Sequence, residues 1–410
     1  MSHFSNRIRR SGLAVLLAVL FLLQLAAAQT RTPVLLVSID GFRHDYLVNK
    51  AYDALNLRAL AKEGVASDGL IPSFPSKTFP NHYTIATGLY PAHSGIIGNR
   101  MVDPVTKEVF SMGNRAAVQD AKWWGGEPIW VTAAKQGCPA APLFWPGSEA
   151  PIGGQHPKHW LPYDDAMPHS ERIAHVLDWL TEADPVCFAT LYFNEVDTAG
   201  HHFGPESQQV KDAVRMVDHS IGELVAGLKQ KGLWGKVNLI IVSDHGMAST
   251  PASQRIALDD YVDESTYEFI DGSPVFVLNA KNGDNAALVA KLNQAPHLHA
   301  YLAKDVPARW HFSGNPRIGG VVAVAEEGWS FETRERMGRW KDPHLGNHGF
   351  ENDLESMRAI FIADGPGFQE PATLPPFPNV DIYSLMARLL NLTPAPNDGK
   401  VDVFLPVLKK

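Results

Sequence analysis

Val34-Leu-Leu-Val-Ser-Ile39 is a near-continuous apolar run of strand length, and it stops at Asp40-Gly41. Similar runs recur at Ala140–Phe144, Phe188–Phe193, Val237–Val242, Val275–Leu278, Val321–Ala325 and Ala359–Ile362. Short apolar runs bounded by turn residues suit strands buried on both faces. Helical patterns lie between them. The clearest comes after Pro205, where Val210, Val214, Val217, Ile221, Leu224, Val225 and Leu228 recur at three- and four-residue spacing. Ser170–Leu180 and Asp381–Leu390 read as helices too. Strands alternating with helices predict an α/β fold with a mostly parallel central sheet.

Outward from this framework, the rhythm weakens at roughly 250–345, where Gly, Pro and polar residues are more frequent. That segment is expected to be an insertion or small subdomain within a single catalytic domain spanning 29–410. The end, Thr393 to Lys410, reads as an irregular tail. Residues 1–28 run from Arg7, Arg9 and Arg10 through an apolar stretch to Ala26-Ala27-Ala28. This is the order of a secretory signal peptide. A membrane anchor is the alternative, because the apolar stretch approaches the roughly 20 residues a bilayer requires. Gln24 and the small-residue end favour cleavage, which implies export to a periplasm or the exterior with no stable membrane anchor left.

Composition is that of an ordinary globular protein, with 45% hydrophobic and 20% charged residues. The formal net charge of −8 argues against a protein that tracks a nucleic-acid duplex. Cys138 and Cys187, each next to an apolar run, form either one disulfide or two separate buried thiols.

Ligands of open α/β sheets bind beyond the carboxyl ends of the strands. Here those ends carry chemistry. Val34–Ile39 is followed by Asp40, Phe188–Phe193 by Asn-Glu-Val-Asp197-Thr-Ala-Gly-His201, and Val237–Val242 by Ser-Asp244-His245-Gly. Gly346-Asn-His348-Gly supplies another imidazole on a glycine-flanked turn. Singly, each has a bland explanation: Asp-Gly is a common turn, and lone histidines are often hydrogen-bonded or exposed. Together, three Asp and three His divide into two sites of mixed oxygen and nitrogen donors, which suits zinc. Magnesium prefers more oxygen; manganese and iron stay open.

A hydroxyl that such a centre could activate lies in Pro75-Ser-Lys-Thr78-Phe-Pro, at the start of a predicted helix with Pro80 in its first turn. Thr78 could simply cap that helix. The same position offers backbone N–H groups and a positive dipole end to a phosphate. A nearby cation would lower the hydroxyl's pKa, so no separate base is needed. Ser76 and Thr84 are less favourably placed rivals. His82, His93 and His202 receive no ligand role, and His344 is the competitor of His348.

Six segments, in order, carry a family resemblance: Ser38-Ile-Asp-Gly-Phe-Arg43, Phe74-Pro-Ser-Lys-Thr-Phe-Pro-Asn-His82, Tyr90-Pro-Ala-His-Ser-Gly-Ile-Ile-Gly-Asn99, Asp197-Thr-Ala-Gly-His201, Ser243-Asp-His-Gly-Met247 and Asn347-His-Gly-Phe350. They resemble the nucleotide pyrophosphatase/phosphodiesterase family of the alkaline phosphatase superfamily. The resemblance implies a three-layer α/β/α fold with a small inserted subdomain. It implies two Zn2+ per chain, one on Asp197, His201 and His348, the other on Asp40, Asp244 and His245. Thr78 would be a metal-contacting nucleophile between them, passing through a phosphothreonine with two inversions at phosphorus. Asn99 and the Thr78 N–H would hold a phosphate oxygen.

In nucleotide-cleaving relatives aromatics sandwich the base, and Phe79 and Tyr163 stand at similar positions. Their alternatives are helix packing for Phe79 and a surface loop for Tyr163; core packing is expected of Trp123 and Trp124. The expected substrate is a nucleoside triphosphate or dinucleotide-type pyrophosphate, releasing a nucleoside 5′-monophosphate. The rival readings are a phospholipid or lysophospholipid phosphodiesterase, a phosphomonoesterase using Lys77 or Lys158 as its extra cation, and a non-catalytic secreted metal-binding module. A sulfatase would need a Cys-x-Pro-x-Arg segment, which the chain lacks.

Overall fold

The computed structural model describes residues 31–339, 345–369 and 371–409. The leader read over 1–28 and the competitor His344 lie outside the described residues.

The main sheet has seven strands: β1 (Val34–Ile39), β2 (Val65–Ser67), β3 (Ala140–Pro142), β4 (Phe188–Phe193), β5 (Asn238–Val242), β6 (Phe361–Asp364) and β7 (Ala372–Leu374). Their spatial order is β7-β2-β6-β5-β1-β4-β3. β1 lies at the switch point, parallel to both β4 and β5, and only β6 runs against its neighbours. β1 is buried along its whole length because both faces are covered. Val34 and Leu36 enter one apolar cluster; Leu35, Val37 and Ile39 enter the other.

The first cluster takes in helices α1 (Thr78–Thr87) and α5 (Ile382–Leu389). The second takes in α2 (His169–Trp179) and α4 (Gln208–Gln230), the helix whose apolar spacing is plainest in the sequence. The result is the expected three-layer α/β/α arrangement. Helix α3 (Glu195–Phe203) comes directly after β4.

Two apolar runs belong elsewhere. Val275–Ala280 and Val321–Ala325 sit in a separate four-stranded sheet with Tyr267–Asp271 and Leu298–Leu302, all paired antiparallel. Strand, not sheet, is what an apolar run specifies. This second sheet and the helix Asn285–Leu292 build a third cluster around Leu278, Leu288 and Phe331. The segment is therefore better ordered into strands than its composition suggests. The edge strand β7 and its neighbour β2 are not legible in the sequence because three residues carry too little pattern. The final residues form no strand or long helix, but the turn Asp402–Val407 buries Phe404 and Val407 in the core.

Cys138 and Cys187 are joined by a disulfide, with Cα atoms 5.6 Å apart. They precede β3 and β4, so the bridge clamps adjacent strands at the end of the sheet opposite the Asp/His residues.

Candidate active site

Because β1, β4 and β5 are parallel and adjacent, the residues just past them meet at one edge. Gly41 makes the turn after Asp40 possible. Its φ is +67°, and a Cβ there would lie 2.8 Å from the Asp197 Cα. Glycine is thus required both by conformation and by close approach of the two segments.

Asp40 and Asp244 are each held by one oxygen. Tyr192 donates its hydroxyl to Asp40 Oδ2 at 2.6 Å. The Gly41 N–H and the Ser243 hydroxyl donate to Asp244 Oδ1 at 3.2 and 3.4 Å. The other oxygens, Asp40 Oδ1 and Asp244 Oδ2, and also Asp197 Oδ1, are buried and accept no hydrogen bond. The imidazoles are held in the matching way. Nδ1 of His201, His245 and His348 faces the carbonyls of Gly346, Gly246 and Ser76 at 3.0, 2.8 and 2.8 Å. A carbonyl only accepts, so Nδ1 carries the proton, and in the neutral ring Nε2 presents a lone pair.

Those lone pairs and orphaned oxygens converge. His201 Nε2 is 3.1 Å from His348 Nε2 and 3.5 Å from Asp197 Oδ1, and His348 Nε2 is 3.6 Å from the same oxygen. His245 Nε2 is 3.0 Å from Asp244 Oδ2 and 3.5 Å from Asp40 Oδ1. Donors bound at about 2.0–2.2 Å to one tetrahedral ion stand roughly 3.3–3.6 Å apart, so these separations fit a shared cation. Asp197, His245 and His348 offer ligand atoms within 4.8 Å of one another, as do Asp40, Asp244 and His245. Sharing His245 makes the two groups contiguous; its ring stacks on that of His348 at 3.5 Å.

The electrostatics point the same way. Burial raises the Asp40 carboxyl well above its ordinary range, and Asp244 and Asp197 add to the rise. Burial lifts Asp197 to about 7. Burial holds His201 down to about 4, and burial with the neighbouring His245 holds His348 well below its usual value. Burial opposes the charge on His245 as well, but Asp244, Asp40 and Asp197 outweigh it and lift that imidazole to about 10. At Asp244 burial is likewise outweighed, by His245 and His82, and the carboxyl is held well below its ordinary range. Three buried carboxylates repel one another unless positive charge lies among them. The donor set and its electrostatics therefore fit bound metal.

Thr78 opens helix α1 as its first residue. Lys77 holds the cap position without a side-chain cap bond, so the hydroxyl of Thr78 is not used to cap the helix. Its Oγ1 lies 3.3 Å from His245 Nε2. Asn99 reaches the same turn, where its Oδ1 accepts the Phe79 N–H at 3.0 Å. Ser76 is committed to the Phe350 carbonyl and Thr84 to that of Leu89. Phe79 and Tyr163, distant in sequence, line one cavity with Thr78, Phe144 and Tyr192. Phe79 also packs near Phe110 and Trp124. Trp123 and Trp124 are buried in the core.

Two contributors are not evident from the sequence. Tyr192 reads as one more core residue of β4, yet its hydroxyl anchors Asp40. His82 is fully buried, with Nδ1 3.0 Å from the Thr78 carbonyl and 3.3 Å from Asp244 Oδ2, and Nε2 2.8 Å from Ser38 Oγ. Its position one helical turn after Thr78 is the signal that could have found it. The two lysines are occupied: Lys77 Nζ by Asp271 Oδ2 at 2.7 Å, and Lys158 Nζ by Asp184 Oδ2 at 2.7 Å.

A mixed, mostly parallel sheet with helices on both faces, and Asp/His groups gathered past its central strands, defines the alkaline-phosphatase-like class of α/β fold. Within it, the chain belongs to the family described as type I phosphodiesterase / nucleotide pyrophosphatase, whose model matches residues 34–351. It is 40% identical over 383 residues to the venom phosphodiesterase of Naja atra, covering 90% of this chain but 45% of that protein. It is 37% identical over 368 residues to the human ectonucleotide pyrophosphatase/phosphodiesterase family member 5, covering 89% of this chain and 76% of that one. It thus spans about half the length of several curated relatives. Among solved structures it resembles murine ectonucleotide pyrophosphatase/phosphodiesterase 5, an inactive threonine-to-alanine variant in complex with AMP. The TM-score is 0.87 and the identity 36%, with 92% of this chain and 100% of that chain covered. Among the described residues no helix is long and apolar enough to cross a membrane.

Proposed function

We propose that the protein is an exported, two-zinc phosphodiesterase that hydrolyses nucleotide phosphodiester or pyrophosphate bonds to nucleoside 5′-monophosphates. The observation that carries this is the Thr78 hydroxyl, uncommitted to helix capping and 3.3 Å from His245 Nε2, beside two contiguous groups of orphaned carboxylate oxygens and imidazole nitrogens. One zinc would be held by Asp197, His201 and His348, the other by Asp40, Asp244 and His245 with Thr78 beside it. When bound, the ions would supply positive charge to the phosphate oxygens and lower the pKa of the Thr78 hydroxyl.

Thr78 loses its proton to solvent and its Oγ attacks phosphorus in line with the departing oxygen. The Oγ–P bond forms as the bond to the leaving group breaks. Water then cleaves the phosphothreonine, returning a proton to Oγ and releasing the monophosphate. Asn99, its Oδ1 already tied to the Phe79 N–H, turns its amide nitrogen to a phosphate oxygen. Phe79 and Tyr163 receive the base, since an aromatic face accepts any nucleobase. A murine relative described as inactive with a threonine-to-alanine change and in complex with AMP is in keeping with a threonine nucleophile and a nucleotide ligand. Because Lys77 and Lys158 are already paired, neither serves as the extra cation of a phosphomonoesterase. Secretion of venom relatives accords with the leader-like start.

Hydrolysis of a p-nitrophenyl nucleoside 5′-phosphate tests the reading. Wild type should cleave it and Thr78→Ala should not. Equal rates would remove Thr78 from the mechanism, and silence from both would favour a non-catalytic metal-binding module. Faster turnover of a lysophospholipid than of any nucleotide would replace the base with an acyl chain.

A further inference from the structure

The end of the main sheet opposite the Asp/His groups holds a cavity of about 350 Å³. Its walls bring together Arg31 and Thr32 from the segment entering β1, Asn238 at the start of β5, Arg388 and Asn391 at the end of helix α5, and Lys409. The chain has 36 basic and 44 acidic residues, so its cations are outnumbered by carboxylates. Here the balance is reversed: two arginines and a lysine line one cavity, and no Asp or Glu lines it. Among the described residues, none of these three side chains makes an ion pair or a hydrogen bond. Burial and Glu63 raise the Asp364 carboxyl while Lys229 and Lys409 oppose the rise, but no ion pair joins Asp364 to Lys409.

A buried neutral donor faces the same space. Asn238 is 1% exposed, and its Oδ1 accepts the Gly367 N–H at 2.8 Å. Its amide nitrogen has no acceptor among the described residues. That leaves a donor on the cavity wall that only an occupant of the cavity can satisfy. Thr32 adds a hydroxyl and Asn391 a second amide. A helix C-terminus is the unfavourable end for an anion, but it carries only about half a negative charge. At α5 the carbonyls of Met386, Ala387 and Arg388 are already taken by the N–H groups of Leu390, Leu392 and Asn391.

We propose that this cavity is a second anion site, separate from the catalytic centre, and that it holds a phosphate group. A phosphate monoester brings close to two negative charges and three terminal oxygens, whereas a carboxylate brings one charge and two oxygens. Arginine forks match phosphate in a bidentate way. A water occupies about 30 Å³, so the cavity has room for a phosphate with part of its hydration shell. β1, six residues at about 3.3 Å each, puts roughly 20 Å between this site and Asp40. A phosphate held here, free in solution or on a lipid headgroup, leaves the catalytic edge open.

The test is equilibrium dialysis of the zinc-loaded full chain against radiolabelled inorganic phosphate. Phosphate on the Asp/His groups is common to every variant, so the difference between variants reads the second site. The Arg31→Ala, Arg388→Ala, Lys409→Ala triple variant should bind one phosphate fewer per chain, its affinity there reduced by about tenfold or more, as loss of a charged donor commonly does. Lys409→Ala alone should give a smaller loss in the same direction. A Lys50→Ala, Lys281→Ala, Lys291→Ala variant, which removes the same charge from exposed positions elsewhere, should bind like wild type. Hydrolysis of a p-nitrophenyl nucleoside 5′-phosphate should be unaltered in all of them. Sedimentation with phosphatidylcholine vesicles, with and without phosphatidic acid, separates the two sources. Binding of phosphatidic acid vesicles by wild type but not by the triple variant assigns the site to a lipid headgroup; binding of free phosphate alone assigns it to a soluble phosphate. Equal phosphate binding by wild type and the triple variant overturns the proposal, and so does an equal loss in the charge-matched variant. Dialysis reads the site without turnover, so a wild type that binds the additional phosphate but cleaves no diester would sink the phosphodiesterase reading and leave this inference standing.

Discussion

His201 Nε2 and His348 Nε2 face each other at 3.1 Å, each with its Nδ1 proton committed to a backbone carbonyl. Two imidazole lone pairs at that distance repel unless a cation lies between them. The residues come from different parts of the chain, α3 and the turn after Gly346, so their meeting is a product of folding.

Chelation should therefore abolish hydrolysis and lower thermal stability together, and zinc should restore both. An ion present at about 100 times its Kd contributes about 2.7 kcal/mol to the folded state. Calorimetric scans with and without chelator, followed by metal analysis of the restored protein, check this. An unchanged Tm would contradict the shared-cation geometry.

Tyr192→Phe removes the donor to Asp40 Oδ2 while keeping the ring. Loss of such an orienting partner typically weakens metal affinity by about 10–100-fold. Competition against a chromogenic chelator measures it, and unaltered affinity would reduce Tyr192 to a packing residue.

Thr78→Ala should reduce kcat for any diester by roughly 10³-fold or more, as removal of a nucleophile does. Thr78→Ser should retain a measurable part of the rate. A chiral phosphorus substrate should give net retention; inversion would exclude the phosphothreonine.

Phe79→Ala and Tyr163→Ala should each raise KM for nucleotides about tenfold, since stacking on a base contributes about 1–3 kcal/mol. Bis(p-nitrophenyl) phosphate, which has no base, should show a much smaller change. Equal losses on both substrates would mean that the two rings support the fold and not the ligand.

The Cys138→Ala, Cys187→Ala double variant should lose about 2–4 kcal/mol of stability in denaturant titrations. Because the bridge clamps the starts of β3 and β4 and the site lies past their ends, kcat/KM at 25 °C should be unaltered. A large kinetic defect would show that the bridge sets the register of the strands.

Much of the framework is written locally. The apolar run Val34–Ile39 closing on Asp40, and the run ending in Ser243-Asp244-His245, announce buried parallel strands with polar groups at their carboxyl ends. A strand buried on both faces must be apolar throughout, and the chain must turn at its end, so composition alone marks both. Val275–Ala280 and Val321–Ala325 show the limit: the same pattern serves an antiparallel sheet elsewhere, because burial constrains polarity but not the partner strand.

From its sequence alone this chain declares its α/β layering, the strand ends where chemistry gathers, and the threonine that opens helix α1. Only the tertiary structure decides which oxygen of each carboxylate is left without a donor, that Tyr192 and His82 hold the group in place, and that Phe79 and Tyr163 share a wall. Periodicity and polarity act over a few neighbouring residues. The separations of about 3 Å between donor atoms arise from the packing of segments that meet only once the sheet has formed.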